Sequence, residues 1–327
     1  MTGWGIAGCG WVARDHALPG LQEAGADVVA LLDRSPVALD RMPVDAARTT
    51  DVDAFLATPG LDAVYVATPN AAHRELVEAA AAAGKAVLCE KPLAADVADA
   101  EAIVKACDGG LLGTAYDQRW HPAHRQLAEL VPELGTVTAV RIVYCCWLPG
   151  DWTPDGAAHD NWRVDPAVAG GGAAIDLAPH GIDLVGTLLG DDVVELQALL
   201  QTRVHGYAVD DGALLQGRTA DGVLVDLHVA YNVPDALPRR RLEIVGTRGT
   251  AVATDTMGQT AGGTLTLLRP EPVDVPFGGA SPFAEQFRAF SAAVDGDTAA
   301  WPYDPRRDLR LHRLLVQALD SARRGRP

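Results

Sequence analysis

The residues best placed to do chemistry in this 327-residue chain lie between Gly170 and Asp183, in the order Gly-Gly-Gly-Ala-Ala-Ile-Asp-Leu-Ala-Pro-His-Gly-Ile-Asp. A run of glycines lets backbone approach a ligand closely before a helix begins. Asp176 and His180 are four residues apart and so share one helix face, while Ile175, Ile182, Leu184, Val185 and Leu188 supply apolar anchors for a core. A carboxylate beside an imidazole holds the ring and moves its pKa toward or above neutrality. His180 is therefore read as a general acid/base and Asp176 as its orienting partner. An ordinary polar helix face is the competing reading, because such pairs are common on helices. No metal is expected, since Asp176, His180 and Asp183 are not joined by His-x-x-x-His or Cys-x-x-Cys spacing.

A second set of candidates sits at the ends of strand-like runs in the first third of the chain. Trp4-Gly5-Ile6-Ala7 runs into Gly8-Cys9-Gly10-Trp11-Val12-Ala13, a Gly-x-Gly-x-x-Ala turn ahead of a helix-like segment. Gly8 permits the tight turn, Gly10 admits a pyrophosphate and Ala13 allows helix to pack on strand, with Cys9, Trp11 and Val12 completing the loop. The next apolar run, 28–32, ends in Asp33, where a carboxylate accepts hydrogen bonds from ribose hydroxyls and repels a 2′-phosphate. That favours NAD. Arg34 keeps NADP open, because its guanidinium can stack on adenine or meet a 2′-phosphate. Thr68-Pro69-Asn70 closes the run 63–67, and His73 on the following helix either touches cofactor or caps. Glu90-Lys91-Pro92 ends the run 86–89 and aims Lys91 at the same crevice, against the alternative of a solvated surface lysine.

The elements that must position these groups change in character part-way along. Strand and helix alternate up to Leu111-Leu112-Gly113, which predicts a doubly wound parallel sheet of Rossmann type over residues 1–118. From Arg119 onward the pattern is strand-rich, with runs at 136–147, 193–204, 213–219, 223–231, 241–245 and 265–268 and turns such as Ala220-Asp221-Gly222. This predicts an α+β domain over 119–327 built on a large, mainly antiparallel open sheet. The glycine-led helix covers one face, helices at 283–294 and 305–323 close the chain, and the Gly- and Pro-rich stretch 256–282 is expected to loop near the surface. A wide sheet face left uncovered predicts a homodimer or homotetramer.

Composition excludes several classes of function. A formal charge of −16 repels a phosphate backbone, so nucleic acid is not an expected partner. No apolar run reaches a bilayer span and no basic leader precedes the first strand, so a cytoplasmic protein without a membrane anchor is expected. Five cysteines without Cys-x-x-Cys fit reduced thiols.

With these residues in view, the chain resembles the Gfo/Idh/MocA oxidoreductases, the glucose-fructose oxidoreductase and inositol dehydrogenase family, over essentially its full length. The resemblance is carried by the Gly8-to-Ala13 turn, Ala67-Thr68-Pro69-Asn70 with His73, the block from Gly84-Lys85 to Glu90-Lys91-Pro92, Trp162-Arg163, and Gly170-Gly171-Gly172 through Asp176 and His180. It implies that Lys91 binds and polarises the reacting oxygen, His180 shuttles its proton and Asp176 aligns the group. It also implies that Trp162 and Arg163 line the nicotinamide and substrate side of the cleft, with Thr68, Pro69, Asn70, His73, Glu90 and Arg119 on the cofactor. Trp152, His159, Asp160 and Asn161 fall on the variable side of the pocket, where indoles stack on sugar rings. Phe283 stands where sugar reductases of this type tend to carry a tyrosine, and it is read as a substrate contact. The implied activity is NAD(P)-dependent hydride transfer on a sugar, cyclitol or sugar-derived metabolite. A redox-neutral sugar eliminase or deglycosylase that cycles its cofactor, and a non-catalytic cofactor-sensing regulator, are the alternatives.

Overall fold

Strand–helix alternation begins at Gly3 and yields a six-stranded, all-parallel sheet: β1 Gly3–Ala7, β2 Asp27–Leu32, β3 Ala47–Thr49, β4 Ala63–Val66, β5 Ala86–Glu90 and β6 Leu112–Ala115, in the order β3-β2-β1-β4-β5-β6. The computed structural model describes residues 2–153 and 161–325. Two units divide it, Met1–Ala115 with Phe283–Arg310 and Tyr116–Pro282 with Leu311–Pro327. The 283–310 segment thus groups with the first unit, whereas the sequence assigns everything after 119 to the second half.

In the first unit β1 and β4 are buried along their whole length, which is why they read as unbroken apolar runs rather than alternating ones. The helices His73–Ala82 and Val97–Ala106 belong to the alternation. The helix Pro282–Val294 brings Phe287 edge-on to Trp4 at 5.2 Å and Phe290 to Trp301 at 5.0 Å. The short strand β3 carries too few residues, mostly exposed, to leave a periodic signal.

Eight strands form the second unit's sheet: β7 Val137–Cys145, β8 Val193–Gln201, β9 Gly212–Thr219, β10 Leu224–Ala230, β11 Arg240–Gly246, β12 Gly249–Thr254, β13 Thr264–Leu268 and β14 Val273–Asp274. Their order is β14-β13-β12-β11-β7-β10-β9-β8. All neighbours are antiparallel except β7 and β10, so the expected architecture, a parallel Rossmann sheet followed by a mainly antiparallel open sheet, is the one observed. The helix Ala173–Leu189 lies on one face, with Ile175, Ile182, Leu184, Val185 and Leu188 in the core against Ile142, Leu215 and Leu227. A side chain at Gly181 would meet Leu227 at 2.6 Å, so glycine there lets the helix press onto the strands. The other face leaves Leu199, Leu214 and Leu224 at 73%, 46% and 63% exposure. The stretch 256–282 is less of a surface loop than its composition suggests, since it contributes β13 and β14 and buries Thr256 and Met257 completely. Among the described residues no helix is long and apolar enough to cross a membrane.

Candidate active site

In the first unit the glycine turn leaves β1 with Gly8 at φ +95°, a conformation that disfavours any side chain, and a Cβ there would lie 2.7 Å from the Ala67 backbone. The Gly8 N–H donates to Leu32 O at 2.8 Å. Asp33 divides its carboxylate between two backbone donors, Oδ2 accepting from Cys9 N–H at 2.8 Å and Oδ1 from Ser35 N–H at 2.8 Å. The carboxylate at the end of β2 thereby sets the shape of the turn after β1. Cys9 is buried, and burial, then the nearby Asp33 charge, pushes its thiol up to about 12, so it stays protonated. Trp11 and Val12 are half-buried and Arg34 is exposed.

At the ends of β4 and β5 the contacts tie neighbouring strand ends together. His73 is fully buried with Nε2 2.9 Å from Thr68 O and Nδ1 3.2 Å from Leu93 O, and burial holds its pKa below the usual value. This corrects its reading as a cofactor contact: both ring nitrogens face backbone carbonyls, so the ring pins the 68–70 edge to the segment after Lys91. Asn70 is buried beside it. Glu90 accepts from the Tyr65 hydroxyl through Oε1 and from Lys91 N–H through Oε2 at 3.2 Å. The half-buried Lys91 is thus fixed at its backbone. Phe283 needs the same kind of correction. It is 4% exposed, its ring stacks on His16 at 5.5 Å and its Cβ abuts Gly20, so it packs inside the first unit rather than serving as a substrate contact.

In the second unit the glycine-led helix is held at its start by a distant carboxylate. Asp210 accepts from Gly172 N–H at 3.1 Å and Ala174 N–H at 2.8 Å, taking the place of the missing side-chain cap. Burial pushes its pKa up, opposed by those same backbone bonds. Asp176 accepts from the fully buried Tyr231 hydroxyl at 2.6 Å. His180 is 5% exposed, its ring near-perpendicular to those of Tyr144 at 5.6 Å and Tyr116 at 6.3 Å, and its Nδ1 is 3.4 Å from Asp117 Oδ1. Asp183, one turn on, is locked to Arg119 by bonds of 2.7 and 2.9 Å with both side chains fully shielded. Arg119, read from sequence as a cofactor ligand, is therefore committed to an internal ion pair. Arg163 lies over Trp162 at 4.6 Å and over Trp152 at 5.5 Å, and Asn161 donates to Pro149 O at 3.3 Å. His159 and Asp160 lie outside the described residues.

Residues 2–110 match the model for the oxidoreductase family with an NAD-binding Rossmann fold, and residues 124–252 match the GFO/IDH/MocA C-terminal domain. The chain belongs to the Gfo/Idh/MocA oxidoreductases. Its relatives include a 1,5-anhydro-D-fructose reductase of Ensifer adhaerens, 32% identical over 90% of this chain and 89% of that one. An inositol 2-dehydrogenase of Acidiphilium cryptum is 30% identical over 77% of this chain and 74% of its own. Among solved structures, an aldose-aldose oxidoreductase from Caulobacter crescentus complexed with glycerol superposes with a TM-score of 0.86 at 26% identity, covering 99% of this chain and 98% of that one.

As a Gfo/Idh/MocA member the chain is an NAD(P)-binding oxidoreductase, and its first unit fits that cofactor. A Cβ at Gly10 would meet nothing within 4 Å, which leaves backbone amides open to a phosphate. The Thr68 hydroxyl, at the carboxyl end of β4, is buried with no hydrogen-bond partner among the described residues, a donor ready for a ligand. The sequence reading overlooked Asp117 and Tyr231 and weighed Asp183 only as a metal ligand. Asp117 did carry a signal: it follows the buried strand β6 by two residues, as Asp33 directly follows β2.

Proposed function

We propose that this oxidoreductase moves a hydride between a nicotinamide and a carbon bearing a secondary hydroxyl, or its ketone, on a sugar, cyclitol or sugar-derived metabolite. The observation that carries the reading is the similarity to a sugar reductase over nine-tenths of the chain, and the presence of Lys91, Asp176 and His180 in the sequence supports it. The bound cofactor supplies the hydride acceptor or donor at its ring carbon. Lys91 polarises the reacting oxygen and His180 takes or returns its proton, while Asp176, steadied by Tyr231, orients the group. Asp33 at the end of β2 favours NAD over NADP. Trp152, Asn161, Trp162 and Arg163 serve the substrate and nicotinamide side, indole faces suiting the apolar faces of sugar rings.

The first unit is assigned to the cofactor, and the second to substrate and self-association. Leu199 pairs across the sheet with Leu214, both on the exposed face, and an apolar row of this kind supports a homodimer or homotetramer. Five free cysteines are consistent with the reducing cytoplasm.

The test is a panel of polyols and ketosugars, 1,5-anhydro-D-fructose and inositols included, offered with NAD(H) and NADP(H) while reduced-cofactor absorbance is followed. Substrate-dependent change in absorbance, faster with the NAD pair, is the expected result. Product formation with no net change would replace this reading with the redox-neutral one, and no reaction on any member would sink it.

A further inference from the structure

We propose that Asp117 is a positioning residue for His180: its carboxylate keeps the proton of the imidazole on Nδ1 and so leaves Nε2 as the atom that exchanges a proton with substrate. The inference rests on the reading of His180 as the acid/base. Asp117 Oδ1 lies 3.4 Å from His180 Nδ1, and each side chain is 6% exposed, so the pair interacts where water screens little. The carboxylate is itself fixed. Its Oδ2 accepts from Gln118 Nε2 at 2.9 Å, and the same amide nitrogen donates to Gly258 O at 3.0 Å.

The backbone geometry supports the same role. Asp117 and Arg119 share the 3₁₀ turn Asp117–Trp120, and they meet His180 and Asp183 on the helix Ala173–Leu189, so the turn is attached to the helix at two neighbouring points. Arg119 is neutralised by Asp183, which leaves Asp117 as the turn's net charge toward His180. Tyr144 of β7 and Tyr116 pack against the imidazole with their rings near-perpendicular to it. Burial pushes the Tyr144 hydroxyl far up, so it adds no charge, and Arg240 of β11 lies over that ring at 5.7 Å. Asp176 sits one turn earlier on the helix, with Oδ2 engaged by Tyr231.

In the oxidation direction the alcohol proton passes to Nε2 as the hydride leaves carbon for the cofactor, and the imidazolium so formed carries Nδ1–H toward the Asp117 carboxylate. That attraction stabilises the cation where the proton arrives. Reduction runs the same transfers backward.

Histidine nitrogen NMR on the whole protein reads the tautomer and titration of His180 directly, with His180→Ala identifying the signal. The expected result is a wild-type ring protonated at Nδ1 when neutral, and in Asp117→Asn a titration moved about one unit or more to lower pH. Turnover of the best panel substrate should fall about tenfold to a hundredfold in that variant, through kcat more than KM. The acid limb of its pH profile should follow the titration, and Asp117→Glu should recover part of both. A wild-type ring protonated at Nε2 overturns the proposal even if Asp117→Asn does not fold. So does an Asp117→Asn protein whose titration is unmoved while His180→Ala remains inactive. Full activity in His180→Ala would instead overturn the acid/base reading on which the proposal rests.

Discussion

Lys91 and His180, the ionisable groups assigned to the reacting oxygen, are held in opposite ways. Lys91 follows β5 directly, and one contact that steadies it runs from its own backbone to the adjacent Glu90, with Tyr65 on that carboxylate's other oxygen. His180 lies mid-way along a 17-residue helix, and its surroundings come from remote segments: Asp117, Tyr116, Tyr144 and the Tyr231–Asp176 bond. An ammonium is a compact donor on a flexible stem, so a short loop that aims it suffices. An imidazole titrates near neutrality, so its job depends on neighbours that bias one proton on one nitrogen. The difference teaches that the aim of the first group is decided locally and the charge state of the second globally.

The strongest way to break the comparison is to remove each group. Lys91→Met and His180→Ala should each bind NAD(H) normally by calorimetry and lose about 10²-fold to 10⁴-fold in kcat, and normal turnover in either variant would end its assigned role. Next, Arg119→Met strands the Asp183 carboxylate with neither side chain more than 1% exposed. It should cost about 3–5 kcal/mol in denaturant unfolding, whereas Glu90→Gln beside half-buried Lys91 should change stability by no more than about 1 kcal/mol. Equal costs would erase the contrast between locally and globally held groups. Tyr231→Phe should remove about 1.5–3 kcal/mol, because it deletes a 2.6 Å bond to a carboxylate. An unchanged melting curve would show that this bond adds nothing net.

Acid provides the gentlest probe. His121 and His124, in the second unit, face Thr260, Gln118 and Thr256 in a buried cluster. Burial lowers their pKa values from 6.5 to about 4 and about 3 respectively. Because the folded values lie below the unfolded ones, the unfolded chain binds more protons in that window. Stability is therefore complete above pH 6.5 and is lost as pH falls toward 4 and then 3. One pH unit below the unfolded value the loss is about 1.4 kcal/mol for each ring. Denaturant midpoints of wild type and His124→Gln across that range check it, and parallel curves would remove His124 from the account.

The same contrast explains what the sequence could and could not show. The Gly8-to-Ala13 turn, Asp33 and Lys91 stand out because each lies at the end of an apolar run, where short-range grammar applies. Asp176 and His180 stand out as a helical pair, yet Asp117 and Tyr231 do not, since nothing in one dimension connects a residue to a partner 55 or more positions away. The Arg119–Asp183 pair spans 64 positions and left Arg119 looking available for a ligand. Both sheets were legible from their strand runs. The strand β12 was missed because Gly-Thr-Ala-Val-Ala-Thr has small residues and no clear alternation, and its burial is set by its neighbours β11 and β13.

The single parallel seam between β7 and β10 has a consequence for assembly. On one side β8, β9 and β10 form a meander of near neighbours in sequence, and on the other β11 to β14 form a second. Among the described residues only β7 stitches the two together, meeting β10 across the crossover that contains the glycine-led helix. Closing that long loop is slow compared with forming either meander. During folding the imidazole should therefore reach its final surroundings only after both meanders have formed.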